Sequence, residues 1–308
     1  MKILVMGAGA LGAYFGARLQ AAGQDVTFVA RGAHLDAMRT RGLRIESALG
    51  NLTLDAVRAT DDPSEAGHAD VVMFMVKNYD LETAAAQLLP VLGRDTIVVT
   101  CQNGDSAGRR LAEVIGAGPV YPGAVYMPAD VKEPGVIRHS GQFHRLAFGP
   151  LEGAATDAAR AFAAAVSVAG PACEISNDIQ ATLWEKFVLL SSFSAITTLT
   201  RLDIGPIRDT PASRDLLVQA TREAQAVGAA ECPTLSEGAA DKALALMLEN
   251  MAPHIHASML DDLSRGRRIE VEYLSGEIAR LGRKHGIATP VHDVVAAALS
   301  PYENGPPG

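Results

Sequence analysis

Residues 1–31 read MKILVMGAGALGAYFGARLQAAGQDVTFVAR, and the order of residue types specifies strand, glycine turn, helix and second strand. Ile3, Leu4, Val5 and Met6 form an unbroken apolar run, the pattern of a parallel strand covered on both faces. Gly7, Gly9 and Gly12 follow at once as G-x-G-x-x-G. In that spacing the first glycine permits a tight turn, the second lets a pyrophosphate reach the backbone, and the third lets a helix pack closely on the strand. The helix opening at Ala10 and Leu11 carries Leu11, Phe15 and Leu19 on one face and aims its free N–H groups and dipole at the phosphates. Gly7, Gly9, Ala10, Leu11 and Gly12 are therefore the candidate nucleotide contacts.

A glycine triplet of this kind can also be a turn that only packs. Here it follows a strand, opens an amphipathic helix and precedes a further strand, Val26 to Val29, which is the setting of a dinucleotide site. Sites that take NAD place Asp or Glu at the end of that second strand to bind the ribose hydroxyls. This chain has Ala30-Arg31. No carboxylate repels a 2′-phosphate there and a guanidinium can grip one with paired hydrogen bonds, so the pattern favours NADP(H). The alternative for Arg31 is an ordinary solvated arginine.

At 308 residues the chain can hold two domains, each with its own core. Hydrophobic residues at 48% and charged residues at 20% fit a soluble enzyme, and a net charge of −8 without a basic block argues against nucleic acid or an anionic membrane as partner. No apolar run reaches about 18 residues and no positively charged leader opens the chain, so a cytoplasmic location is expected. Cys101, Cys173 and Cys232 lack C-x-x-C spacing, and no metal site is expected.

Beyond Arg31 a helix is expected from about His34 to Arg41, then a strand pair, Leu43 to Ile45 and Asn51 to Val57, as an antiparallel detour. Asp70 to Val76 reads as a buried strand ending in Lys77, and Thr96 to Cys101 as another ending in Gln102-Asn103-Gly104. Ligands of open α/β sheets bind outside the carboxyl ends of the strands, so Lys77 and Asn103 are candidates by position. Lys77 could equally be a solvated lysine, and Asn103-Gly104 an ordinary turn. Val120 to Ala124, Val136 to His139 and Arg145 to Phe148 are expected to complete the sheet, and Glu152 to Ala169 to close the domain as a helix. From Ser176 the strand pattern gives way to helices at Ile179 to about Leu199, Ser213 to Ala229, Glu237 to Asn250, Tyr273 to His285 and Val291 to Leu299. The expected organisation is α/β, a Rossmann-type doubly wound sheet over 1–175, then an all-α domain for substrate and dimerisation over 176–308.

In the first of those helices Lys186 precedes an almost wholly apolar stretch to Ile196, so a lysine at its mouth is costly unless paired or in a cleft. Ketone reduction turns the carbonyl oxygen into an alkoxide, which needs a proton donor and a positive field, and an ammonium supplies both. A lysine that packs its stem and holds its head in water is the alternative. Downstream, Ser258 and Asp262 lie one helical turn apart, and Glu270 could pair with Lys186 or simply face a helix dipole. Ser258 could donate to a substrate carboxylate.

Taken together the chain resembles the ketopantoate reductase (2-dehydropantoate 2-reductase) family along almost its whole length. The likeness rests on GAGALG with Arg31, the strand ending in Lys77, Gln102-Asn103-Gly104, the Pro134-Gly135-Val136 turn, Trp184-Glu185-Lys186, Ser258-Met-Leu-Asp261-Asp262 and Arg268-Ile-Glu270. The resemblance implies an NADPH-dependent reduction of 2-dehydropantoate to (R)-pantoate, a step toward pantothenate. It implies Lys186 as the catalytic acid assisted by Glu270, Asn103 and Lys77 lining the site, and Ser258 binding substrate in the cleft between domains. It also admits a homodimer through the helical domain.

One departure bears on the substrate. Well-studied members carry asparagines four and eight residues after the lysine, on its helical face, where they hydrogen-bond substrate; this chain has Leu190 and Ser194. A leucine cannot bind a hydroxyl or carboxylate, and loss of a designed polar contact costs specificity by roughly 10⁴ in strong cases. Two other readings stay beside the first: an NADPH-dependent reductase of another 2-oxoacid with a modified pocket, and a non-catalytic NADPH sensor, which would need neither Lys186 nor Glu270.

Overall fold

A computed structural model describes residues 1–307, and the chain divides into two compact units: residues 1–102 with 106–179, and residues 103–105 with Gln180 onward. In the first unit the strands are β1 (Lys2–Met6), β2 (Asp25–Val29), β3 (Leu43–Ser47), β4 (Leu52–Leu54), β5 (Arg58–Thr60), β6 (Ala69–Phe74), β7 (Leu92–Thr100), β8 (Val120–Tyr126), β9 (Ala129–Glu133), β10 (Val136–His139), β11 (Arg145–Phe148) and β12 (Ala172–Ile175). Its helices are α1 (Ala10–Ala21), α2 (Gly32–Arg41), α3 (Leu81–Ala86), α4 (Ala107–Ile115) and α5 (Asp157–Val168).

The main sheet has eight strands in the order β12-β11-β8-β7-β6-β1-β2-β5. The run from β5 to β8 is parallel, and β11 pairs antiparallel to β8 and parallel to β12. Strand β1 lies between β2 and β6, so the chain winds outward in both directions from it, and its carboxyl end is the switch point where such sheets take ligands. The continuous apolar pattern of β1 has its expected cause: Ile3 and Val5 are buried in one cluster with α1 residues such as Phe15, while Leu4 and Met6 are buried in another with Leu81, Ala84 and Leu111. The α/β sheet followed by helices is as the sequence predicts.

Three expectations are corrected. The strand Val136–His139 does not continue the main sheet; it pairs with β3 and β9 in a separate four-stranded sheet, order β4-β3-β10-β9. Arg145–Phe148 is not the last strand, because Ala172–Ile175 adds parallel to it, and Arg58–Thr60 adds a short strand beside β2. The helix expected from Glu152 starts instead at Asp157, where the Thr156 side chain accepts the Ala159 N–H as cap. Partner choice is non-local and short strands carry little periodicity, which is why sequence pattern missed these pairings.

The second unit holds no strand among the described residues. It consists of α6 (Ile179–Thr200, whose first residue groups with the first unit), α7 (Ile204–Asp209), α8 (Pro211–Glu231), α9 (Ala239–Ala245), α10 (Ser258–Ser264), α11 (Glu277–His285) and α12 (Pro290–Leu299). Turns of wider pitch, Leu246–Asn250 and Glu272–Gly276, extend α9 and precede α11, replacing parts of the regular helices expected at 237–250 and 273–285. Trp184 and Phe187 are central to one buried cluster, and α8 makes room for the indole with Gly228, where a Cβ would lie 2.8 Å from Trp184 Cε3. No described helix is long and apolar enough to cross a membrane.

Candidate active site

Each glycine of the turn after β1 answers a different local demand. Gly7 has φ +98°, and a Cβ there would stand 2.8 Å from the backbone of Met75 and Val76. At Gly12 a Cβ would stand 2.4 Å from Gly7 O and 2.9 Å from Val5 Cγ1, so only glycine lets α1 sit this close to β1. Gly9 is the opposite case. It is exposed at the N-cap of α1, and no described atom lies within 4 Å of where its Cβ would be. A turn closed underneath and open above, at the start of a 12-residue helix with no side-chain cap, fits a pyrophosphate backbone. Ala10 and Leu11, half-buried, open that helix.

Arg31 follows β2 as the N-cap of α2, is exposed, and its guanidinium makes no hydrogen bond or ion pair among the described residues. The same region holds a residue whose position the sequence did not suggest: His34, one turn into α2, accepts the Gly135 N–H at Nδ1 over 3.1 Å and so ties α2 to the turn between β9 and β10. Lys77 is half-buried at the exit of β6, capping a short 3₁₀ turn, Asn78–Asp80. Because Gly7 abuts Met75 and Val76, the glycine turn and the segment carrying Lys77 share the carboxyl edge of the sheet.

In the helical unit Lys186 is half-buried on α6, and its Nζ donates to Asn103 Oδ1 at 3.1 Å. Asn103 is presented by the Asn103-Gly104 turn, where Gly104 takes φ +102° and a Cβ would lie 3.1 Å from Tyr273 O. The Asn-Gly pair is thus both a turn and the carrier of a polar group. Glu270 is buried just ahead of the turn 272–276, and its carbonyl accepts the Tyr273 N–H at 3.1 Å. Ser258 is the exposed first residue of α10, and one turn on, buried Asp262 pairs with Arg267 at 3.7 Å.

From Ser191 onward the hydroxyls of α6 divide into two groups. Ser192, Thr197 and Thr200 bond back to carbonyls of their own helix, as such side chains usually do. Ser191, Ser194 and Thr198 are buried and have no hydrogen-bond partner among the described residues. Leu190, a turn beyond Lys186 on its face, is half-buried against the apolar cluster. The described residues contain no cluster of three or more histidine, cysteine or carboxylate side chains suited to a metal ion.

The chain matches two family models, Ketopantoate reductase PanE/ApbA over residues 3–153 and Ketopantoate reductase PanE/ApbA C terminal over residues 178–303. The 2-dehydropantoate 2-reductase of Mesorhizobium japonicum is 33% identical over 320 residues, covering 97% of both chains. An uncharacterized oxidoreductase of Bacillus subtilis, YkpB, is 30% identical over 309 residues, covering 98% of this chain and 99% of its own. The crystal structure of a PanE/ApbA family ketopantoate reductase from Ralstonia eutropha superposes with a TM-score of 0.90 at 32% identity, covering 98% of each. The resemblance read from GAGALG through Arg268-Ile-Glu270 is borne out: the chain is an oxidoreductase that belongs to the ketopantoate reductase family.

Proposed function

We propose that this chain is an NADPH-dependent reductase that converts 2-dehydropantoate to (R)-pantoate, serving pantothenate biosynthesis. The observation that carries the reading is the Lys186 ammonium, held by Asn103 at the mouth of a largely apolar helical stretch. An ammonium is a three-hydrogen donor, and Asn103 Oδ1 accepts from it.

Bound NADPH supplies the hydride. The chain's own residues do the rest. Gly7, Gly9 and Gly12 would let the backbone and the N–H groups opening α1 at Ala10 and Leu11 hold the pyrophosphate, and Arg31 would hold the 2′-phosphate. Lys77 adds positive charge at the same sheet edge. Lys186 polarises the ketone and delivers a proton to the forming alkoxide, while Asn103 orients the ammonium and Glu270 keeps a balancing negative charge in the unit. Ser258 and Ser194 serve the substrate's polar groups; the buried Ser194 hydroxyl has donor capacity unused by the described residues.

Leu190 favours a second reading, a 2-oxoacid whose side chain is apolar where 2-dehydropantoate carries its hydroxyl. A panel of 2-oxoacids assayed for oxidation of NADPH separates the two, with 2-dehydropantoate expected to give the highest kcat/KM. If NADPH binds yet no 2-oxoacid is reduced, and Lys186→Ala binds NADPH equally, only the sensor function is left.

A further inference from the structure

The chain around Lys77 is gripped from both sides by side chains of other elements. Gln102, buried just beyond β7, donates Nε2 hydrogens to Val76 O at 3.0 Å and Phe74 O at 3.2 Å, and its Oε1 accepts the Thr100 hydroxyl. Arg110, on α4, donates Nη2 to Asn78 O at 2.8 Å and Nη1 to Asn78 Oδ1 at 3.2 Å, and its Nε bonds the Glu82 carboxylate at 2.8 Å. The carbonyls immediately before and after Lys77 are therefore both taken.

Met75 N–H still bonds Met6 O in register with β1, but the Val76 and Asn78 carbonyls lie past the end of β6, where the ladder stops. A segment leaving a sheet would ordinarily satisfy such groups with water and move with them. Here a fixed amide and a planar guanidinium fork replace the water, and each is itself anchored, by Thr100 and by Glu82.

We infer that Gln102 and Arg110 are positioning residues that hold Lys77 at the carboxyl edge of the sheet so that its ammonium meets the nucleotide. This rests on the reductase reading above. Neither side chain needs to touch the nucleotide, because their effect passes through the backbone of residues 76–78. Holding a charged group within a fraction of an ångström of its working place decides how much of its interaction is realised.

The test is a double-mutant cycle read by NADPH titration and by steady-state reduction of a 2-oxoacid. Arg110→Lys keeps a cation beside Glu82 but loses the fork, so thermal unfolding should move little while NADPH binding weakens roughly 10-fold, the scale on which misplacement costs function. In a Lys77→Ala background the same Arg110→Lys change should have no further effect. Gln102→Met should behave alike where it folds, and Arg110→Lys carries the test where it does not. Equal losses from Arg110→Lys with and without Lys77 would overturn the inference, since the arginine would then act independently of the lysine. So would a silent Lys77→Ala in an enzyme that still turns over, which leaves the reductase reading standing. A wild-type protein that neither binds NADPH nor reduces a 2-oxoacid would remove that reading and the clamp together.

Discussion

Lys186 Nζ and Asn103 Oδ1 meet at 3.1 Å across 83 positions of sequence, within the second unit. The bond constrains where the ammonium points. Lys186→Ala should lower kcat by about 10² or more, the scale of general acid catalysis, with NADPH affinity nearly unchanged. A near-normal kcat would remove Lys186 as the acid.

Asn103→Asp changes the same contact electrostatically. A carboxylate beside the ammonium favours the charged lysine and so raises its pKa. The alkaline limb of the kcat profile, where the acid loses its proton, should move to higher pH than in the wild type. A shift the other way, or none, would show that Asn103 does not govern this proton.

Arg31 and Gly9 make a pair of tests on the nucleotide. Arg31→Ala should raise KM for NADPH far more than for NADH, because only the former has a 2′-phosphate; equal effects would refute that contact. Gly9→Ala should leave thermal stability within about 1 kcal/mol, as an exposed N-cap with nothing described above it, yet weaken NADPH binding. Gly12→Ala should instead destabilise the fold, since its Cβ would lie 2.4 Å from Gly7 O.

Leu190→Asn tests the substrate. If 2-dehydropantoate is a poor substrate of the wild type, the asparagine should raise its kcat/KM by about 10-fold or more through a restored polar contact. No change would place the selecting contacts elsewhere.

His292 gives the stability a pH dependence. Its Nε2 bonds Ala220 O at 3.0 Å, its Nδ1 faces Ser275 Oγ at 3.3 Å, and burial lowers its pKa from 6.5 to about 4. Below pH 6.5 the unfolded chain takes up a proton that the folded chain refuses until about pH 4. Stability is therefore highest above that range and falls as pH drops through it, by roughly 3 kcal/mol in all from this residue. Urea unfolding across the range should show the slope in the wild type, reduced in a His292→Gln variant; an unchanged slope would assign it to other groups.

The local features of this protein were legible in its sequence. The glycine roles depend chiefly on the turn itself and the strand before it, and the change from strand pattern to helices is a matter of periodicity, so both could be read residue by residue. So could the family resemblance, spread over motifs that each keep their spacing. What sequence could not assign was partnership. Val136–His139 has the composition of a main-sheet strand and joins the smaller sheet because Leu43–Ser47 lies beside it. Gln102 was visible only as a polar residue at a strand end; that its amide reaches back to Val76 and Phe74 depends on two strands lying side by side. Asn103 and Lys186 were each candidates alone, and no spacing rule links positions so far apart. Sequence by itself determined the glycine turn, the change from strands to helices and the chemical types available; tertiary structure decided which of those groups meet, because hydrogen bonds form between neighbours in space and chain topology sets who the neighbours are.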